Sequence, residues 1–440
     1  MNETESNTAV PLNPVVADYL ASIPSWKLAY RRFIGYRLAA GIRKRFDIRL
    51  RGVSAPSTSA IPIIAVNHLT DDDPVVILAA CLAIPGMIPI LRTCVHVMGE
   101  HVFQPGFLGA YVVKQPSWLS YLLFQTRIAP FMPWIGGHPV VHARTRLLIA
   151  HLYDVLRHHG NVPLRDVLGG DIGSYLPGAE ANARIRSVLT FRHRNALYQS
   201  HEFSILRQPY LEKAWGRHRE RIRLFVETFA TFADSGRPVF IAPQGIITRD
   251  GTPAGVRSGV FQIVNAMKRD AELIPMNITY DPMRAGRALA YVTFGRTVAA
   301  ERGGPKDAFN ARIEHLIHCD APVPVSQIAA EALRALAMRS ESAIGVQAFR
   351  DALTHRAREL AGDGYSVVPD PGDAPEWKER LDGLFQYFRK SGFTISEGNL
   401  RFDPAIILDD SIQKSGYARR WTYCYNELQA RLEHRHGDFG

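Results

Sequence analysis

Between residues 46 and 300 short apolar runs alternate with stretches of helical period, and this alternation restricts the fold more than any other feature of the chain. The runs "FDIRLRG" (46–52), "IPIIAVN" (61–67), "RPVFIAP" (237–243), "ELIPMNITY" (272–280) and "ALAYVTFG" (288–295) read as strands. Helices fit residues 74–84, 207–235 and 258–269. The pattern predicts an α/β domain with a mostly parallel sheet flanked by helices. In the helix before "SGRPVF", Trp215, Ile222, Phe225, Phe229 and Phe232 fall on one stripe, and Gly236 is the expected stop.

At 440 residues the chain is long enough for two or three domains. Residues 1–45 read as an arm carrying a basic amphipathic helix, residues 46–304 as the α/β domain, and residues 305–440 as a mainly helical C-terminal domain. Residues 160–206 interrupt the second region and read as an insertion or flap. In the third, "PVSQIAAEALRALAM" has Ser326 where an N-cap belongs, and helices follow near 346–361 and 375–390. The run "FTISEGNLRF" is a hairpin turning at Glu397-Gly398-Asn399, which completes the ingredients of a winged-helix-like module. The last helix holds "WTYCYNELQARL".

The net charge of +10 is unevenly placed. From Lys27 to Arg51 there are nine Lys or Arg against the single acid Asp47, which is +8 in that stretch. Trp26, Tyr30, Phe33, Ile34, Leu38, Ile42 and Phe46 recur there at helical spacing, with Lys27, Arg31, Arg32, Arg43, Lys44 and Arg45 between them. Two compatible readings follow: a helix packed on the domain with a solvated face, or a helix lying on an anionic membrane surface. The opening "MNETESNTAV" is polar and acidic, so no signal peptide is expected. The apolar run "PVVILAACLAIPGMIPIL" approaches the length of a membrane span, but Pro85 and Pro89 predict a buried helix broken near Pro85. Cys81, Cys94, Cys319 and Cys424 lie far apart, as reduced thiols of a cytoplasmic protein do. His315, His318 and Cys319 have no second ligand pair, so no metal is expected there.

Four ionisable side chains stand at the exit of an apolar strand in "IPIIAVNHLTDDDPVVILAA". Asp73 precedes Pro74, where a helix N-cap belongs. His68 lies five residues earlier, which is not the spacing of one helix face, so the chain turns between them and the carboxylate can return to the ring. A carboxylate on one ring nitrogen fixes the tautomer and leaves the other nitrogen as a base. The plainer readings are a cap with solvated neighbours, Asp71 and Asp72, or a metal site made of His68 with Asp71–Asp73.

Further blocks join this one. "FIAPQGIITRDG" leaves a strand through Pro243 and Gly245 into a loop bearing Arg249, and "ELIPMNITYD" follows with Pro275. In order and spacing these blocks resemble the glycerolipid acyltransferase superfamily, over roughly residues 45–300. Asn67, His68 and Asp73 match its first motif, in which "NH" is followed four residues later by "D". Pro243, Gly245 and Arg249 match part of a "PEG"-type loop with arginines, and Pro275 matches the fourth block. Gln244 stands in place of that loop's glutamate, and Ile247 in place of its first arginine. The second-motif arginine falls in "PWIGGHPVVHARTR", at Arg144 or Arg146. "YCYNEL" is similar to the closing element of the long glycerol-3-phosphate and dihydroxyacetone-phosphate acyltransferases.

The resemblance implies an acyltransferase of phospholipid synthesis that needs no cofactor and takes acyl-CoA or acyl carrier protein as co-substrate. His68 would be the general base and Asp73 its orienting partner. Asn67, Gln244, Gly245, Arg249 and Arg144 would meet the substrates. The acceptor implied is a glycerol-phosphate-type alcohol, glycerol 3-phosphate or lysophosphatidate; with Gln244 and Ile247 present, other cations hold the phosphate or a different hydroxyl lipid or metabolite is the acceptor. The expected location is cytoplasmic, peripheral on the inner face of the membrane. Nucleic-acid binding through the C-terminal module is the rival class, although residues 321–400 form no basic stripe.

Overall fold

A strand whose every residue is apolar and buried needs a partner on both edges, and Ile61–Val66 (β2) has two. In the computed structural model, which describes residues 14–52, 60–112, 118–142, 144–413 and 418–436, β2 runs parallel to Val239–Ile241 (β3) and to Ala271–Asp281 (β4). Ala288–Phe294 (β5) is antiparallel to β4, and Phe46–Arg51 (β1) is parallel to β5. Along this part of the sheet the order is β1-β5-β4-β2-β3, and three of its four pairings are parallel. The exception has a local cause: only residues 282–287 join β4 to β5, too few for a crossover. All five strands coincide with the runs read from sequence, and helices cover the sheet.

The chain divides into two compact units. The first comprises residues 1–94, 235–265 and 269–440 and contains this part of the sheet; residues 1–13 of its arm lie outside the described residues. The basic segment folds as the helix Ser25–Ile42 (α1), which buries Gly35, Ala39 and Ile42 and packs on Asp73–Cys81 (α2). The aromatic stripe expected on one face is therefore split: Ile42 turns inward, while Trp26, Phe33, Tyr36 and Leu38 are exposed. Several cations are engaged internally. Arg31 donates to Arg92 O at 2.5 Å, Arg43 to Ala79 O at 3.0 Å, and Arg51 to Ser366 Oγ at 2.6 Å. After α2 the apolar run breaks at Pro85, as expected, and Asp73–Cys81 and Pro85–Thr93 meet at 114°. Among the described residues no single helix is long and apolar enough to cross a membrane.

The C-terminal part of this unit has its own core, built by Val325–Met338 (α3), Val346–Gly362 (α4) and Ala374–Lys390 (α5) around Leu333, Phe349, Leu384 and Phe388. Ala343–Gly345 and Thr394–Ser396 flank Asn399–Arg401 in a three-stranded antiparallel sheet. Its hairpin turns on two residues, Glu397 (φ 51°) and Gly398 (φ 77°), and Asn399 is already paired with Ser396. Both turn residues have positive φ, the geometry that suits the strand twist. Ser326 is not the N-cap it was expected to be. The helix begins at Val325 behind Pro324, and Ser326 is buried, with its hydroxyl donating to Asp281 and accepting from Met283 N at 2.9 Å. Arg380 forks onto the same carboxylate, at 2.6 Å and 2.5 Å. Arg420–His436 (α6) then joins the two cores, since Leu428 packs in the C-terminal one and Tyr423 in the one beneath the sheet.

The second unit, residues 95–234 with 266–268, has a separate core around Leu148, Ile149 and Leu152. Its long helix Tyr210–Asp234 is the one predicted, and Gly236 beyond it adopts φ 92°. Residues 160–206 form several one-turn helices whose Leu164, Val167, Ile185 and Leu197 are fully buried, so the stretch is built into this core and does not hang from it as a flap.

Asp281 is fully buried and Arg380 nearly so. Removing one partner of a buried ion pair leaves the other without compensation, so Arg380→Ala should lower the unfolding free energy by about 3–5 kcal/mol. Urea denaturation measures this directly; a loss within about 1 kcal/mol, the range of a surface pair, would mean that Asp281 is held by Ser326 alone.

Candidate active site

Asn67 and His68 leave the sheet at the carboxyl end of β2, beside the point where β3 runs into residues 243–251. The carboxyl ends of parallel strands are where an α/β sheet gathers ligand-facing groups. Asn67 is buried and continues the ladder with its side chain: Nδ2 donates to Ile278 O at 2.9 Å, and Oδ1 accepts from Ile278 N at 2.6 Å. Both ends of its amide are thus occupied by β4, and the chain is pinned one residue before His68.

Asp73 does not cap α2. Asp72 holds the cap position without a side-chain bond, and Asp73 is the first helical residue, with its carboxylate folded back over the preceding loop. Its Oδ2 accepts from Leu69 N at 2.5 Å and Thr70 N at 2.8 Å and faces His68 Nδ1 at 3.0 Å. Its Oδ1 accepts the Thr70 hydroxyl at 2.8 Å and the Tyr280 hydroxyl at 2.6 Å. Five donors therefore surround a carboxylate that is 1% exposed. With this acceptor on Nδ1, the His68 ring keeps its lone pair on Nε2, and its side chain is 24% exposed. Burial and the neighbouring Asp73 charge push the Tyr280 phenol well above its ordinary range, so it stays a donor.

The loop after β3 meets this pair from the other side. Gln244 Oε1 accepts the His68 backbone N–H at 2.9 Å, which fixes the orientation of the amide; its Nε2 is buried without a hydrogen-bond partner. Gly245 sits at φ 69° and closes a turn by donating to Ala242 O at 3.1 Å. Arg249 is exposed, and its carbonyl accepts from Ala418 N at 2.7 Å. Helix α6 holds the same two loops. The Tyr423 hydroxyl donates to Leu69 O at 3.3 Å, and Asn426 Nδ2 donates to Asp250 O at 3.0 Å. Gly251, at φ 88°, fits so closely that a Cβ there would lie 2.2 Å from Tyr423 O. The "YCYN" element thus has a local purpose: two side chains one turn apart fasten both loops.

Asp72, expected to be solvated, accepts a two-pronged bond from Arg45 at 2.6 Å and 2.7 Å, whereas Asp71 is exposed. With Asp72 on Arg45 and Asp73 on its five donors, neither carboxylate is spare for a metal. Arg144 and Arg146 belong to the second unit. Arg144 is exposed; Arg146 is mostly buried and bonds to Glu100 at 3.1 Å, with Asp154 3.9 Å away. His68, Asp73, Gln244 and Gly245 are therefore brought together, Arg249 lies on the same loop, and Asn67 serves from behind. Thr70, Tyr280, Tyr423 and Asn426 were missed from sequence. One signal was present for Tyr280, a phenol inside an otherwise apolar strand, because a buried hydroxyl needs a partner.

No protein-family model matches the chain, and no curated protein matches it either.

Tyr280→Phe keeps the ring, which packs on Phe46 at 5.4 Å between centroids, and removes one donor from Asp73. A hydrogen bond to a charged group contributes about 1.5–3 kcal/mol, and one between neutral groups about 0.5–1.5 kcal/mol. Tyr280→Phe should therefore destabilise the chain more than Tyr423→Phe, whose hydroxyl meets a carbonyl. Urea midpoints of the two variants in the opposite order would contradict the bonding given above.

Proposed function

We propose that the chain is a thioester-dependent O-acyltransferase, moving a fatty acyl group from acyl-CoA or acyl carrier protein to a hydroxyl of a glycerol-phosphate-type acceptor. The observation that carries this reading is the His68–Asp73 pair, 3.0 Å apart, with Nε2 available on a loop resembling the first motif of glycerolipid acyltransferases. In the reaction the acceptor hydroxyl gives its proton to Nε2 while its oxygen attacks the thioester carbonyl. The imidazolium forms against Asp73, whose plane is held from both oxygens. Collapse of the tetrahedral intermediate forms the ester and breaks the C–S bond, and the thiolate recovers the proton from Nε2. No acyl-enzyme is needed, in keeping with the absence of a G-x-S-x-G sequence and with the burial of Cys81, Cys94 and Cys424. Backbone N–H groups of the loop 243–249 serve the developing oxyanion in this scheme.

Arg249, exposed on the loop that carries Gln244 and Gly245, is the proposed contact for the acceptor's anionic group. Gln244 contributes no charge to it. The three C-terminal helices with their three-stranded sheet support the winged-helix-like reading of that module. Three of its arginines are paired with acids, Arg334 with Asp410, Arg350 with Asp382 and Arg356 with Glu331, which leaves them less available to a nucleic acid. The proposed location is the inner face of an anionic membrane, met by α1.

Thiol release with glycerol 3-phosphate, lysophosphatidate and other hydroxyl acceptors tests the reading. Release should require an acceptor and fall by about 10²–10⁴-fold in His68→Ala, the range of general-base catalysis, with Asp73→Asn also severe. Full turnover in His68→Ala, or no release with any acceptor, would sink it.

The membrane contact has its own test. Arg31, Arg43 and Arg45 bond within the protein, so along α1 and its end attraction to headgroups falls chiefly to the exposed Arg32, Arg37 and Lys44. Each contributes about 1 kcal/mol near anionic lipid. Changing these three to Gln should remove the preference for anionic over neutral vesicles at low salt; a preference kept by the variant would mean that α1 is only a packed helix.

A further inference from the structure

The second unit carries an apolar surface that the proposed chemistry does not use. Helix Trp118–Leu123 exposes Trp118 (77%), Leu119 (41%), Tyr121 (55%) and Leu122 (57%), while Ser120 and Phe124 are buried. These four residues share one face of the short helix. The 3₁₀ stretch Ala129–Ile135 adds Phe131 (45%) and Trp134 (37%), set edge-on at 5.2 Å between ring centroids. The helix stands on a firm base. Tyr121 and Phe124 pack on the buried Phe191 at 4.7 Å and 5.9 Å, so the outward side chains are presented by an ordered element.

What covers such a face follows from its charge and polarity. Residues 101–153 contain no Asp or Glu, but they contain Lys114, Arg127, Arg144 and Arg146. A protein partner of ordinary interface size needs a polar rim and about one hydrogen bond per 100–200 Å². Among the described residues of the helix and its following loop, Gln125 and Arg127 are the exposed polar side chains beyond the indole N–H groups and one phenol. Trp and Tyr beside Leu and Phe, with a cation and no acid, is the composition of an element seated at the boundary of headgroups and acyl chains. We propose that the helix face of Trp118, Leu119, Tyr121 and Leu122, together with Phe131 and Trp134 of the 3₁₀ stretch, inserts into the interfacial region of a lipid bilayer, as an apolar anchor separate from the cationic attraction of α1. This inference does not depend on acyl transfer, because it concerns binding alone.

The test uses the full chain and neutral phosphatidylcholine vesicles in about 1 M salt, where the screening length is about 3 Å and cationic attraction is suppressed. Wild type should pellet. Trp118→Ser/Leu119→Ser/Leu122→Ser should lose about a hundredfold or more in partition, since burying one large apolar side chain alone contributes roughly a factor of ten. The Arg32→Gln/Arg37→Gln/Lys44→Gln variant should pellet like wild type under these conditions. Leu122→Ser alone, with an unchanged urea midpoint, guards against a folding defect and should lose about tenfold. In wild type, brominated lipid should quench Trp fluorescence, and Trp118→Phe should reduce that quenching. Wild type left in the supernatant, or a triple-serine variant that pellets equally, overturns the proposal. So does a dimer in solution that the serine changes abolish while lipid binding persists, since the face would then belong to a second copy.

Discussion

A carboxylate that is 1% exposed must find hydrogen-bond donors for both of its oxygens, and around Asp73 this requirement organises the first unit. The donors come from separate places. Leu69 and Thr70 belong to its own loop, His68 is at the exit of β2, and Tyr280 is on β4. They converge only if β2 and β4 are neighbours in the observed register, with Val66 beside Met276, and if Asn67 holds the exit of β2 against Ile278. The same requirement sets the chemistry. Once both oxygens are held, the carboxylate plane cannot turn, so the imidazole on Oδ2 has one orientation and one tautomer. Positioning and stability are here one set of bonds.

The C-terminal region enters this site through one helix. Helix α6 is anchored in the C-terminal core by Leu428, and its Tyr423 and Asn426 reach Leu69 and Asp250 on the two loops that frame His68. The fully buried Asp281, at the end of β4 just past Tyr280, is matched by Arg380 on α5. One strand therefore bears a donor to Asp73 and the acid that ties the C-terminal helices to the sheet. This accounts for a chain that continues well past its α/β strands: the extra helices brace both loops through α6.

The strands were legible because each is an apolar run bounded by Gly, Pro or charge, and the structure places all five where those runs lie. The His68–Asp73 contact was legible for a geometric reason, since five residues off helical spacing force a turn. The errors share a cause as well. Asp73 and Ser326 stand at positions where small polar residues usually cap helices, and both are instead drawn into buried polar clusters by partners 207 and 45 residues away in sequence, Tyr280 and Asp281 respectively. Local preference predicts a cap; it contains no information about a distant hydroxyl or carboxylate. The α1 stripe failed differently. Seven apolar residues at roughly helical spacing covered more than one face, and Gly35 and Ala39, which carry little hydrophobic signal, turned out to mark the packed side.

Gln244 shows how one atom redistributes the work of the site. Its Oε1 takes the His68 N–H, and at 1% exposure it stands on the same short segment that Asp73 holds from the other side. A glutamate could accept that bond equally well, but it would bury a second negative charge beside Asp73, and two carboxylates sharing a dry site oppose each other's ionisation. The amide accepts the N–H and leaves Asp73 as the single acid acting on the ring. The consequence falls on recognition. Residue 244 is neutral and buried and Ile247 is half-buried, so from 243 to 251 the one cationic side chain is the exposed Arg249. Under the proposed reaction, base orientation falls to an amide fixed against the backbone and anion binding to an arginine at the surface.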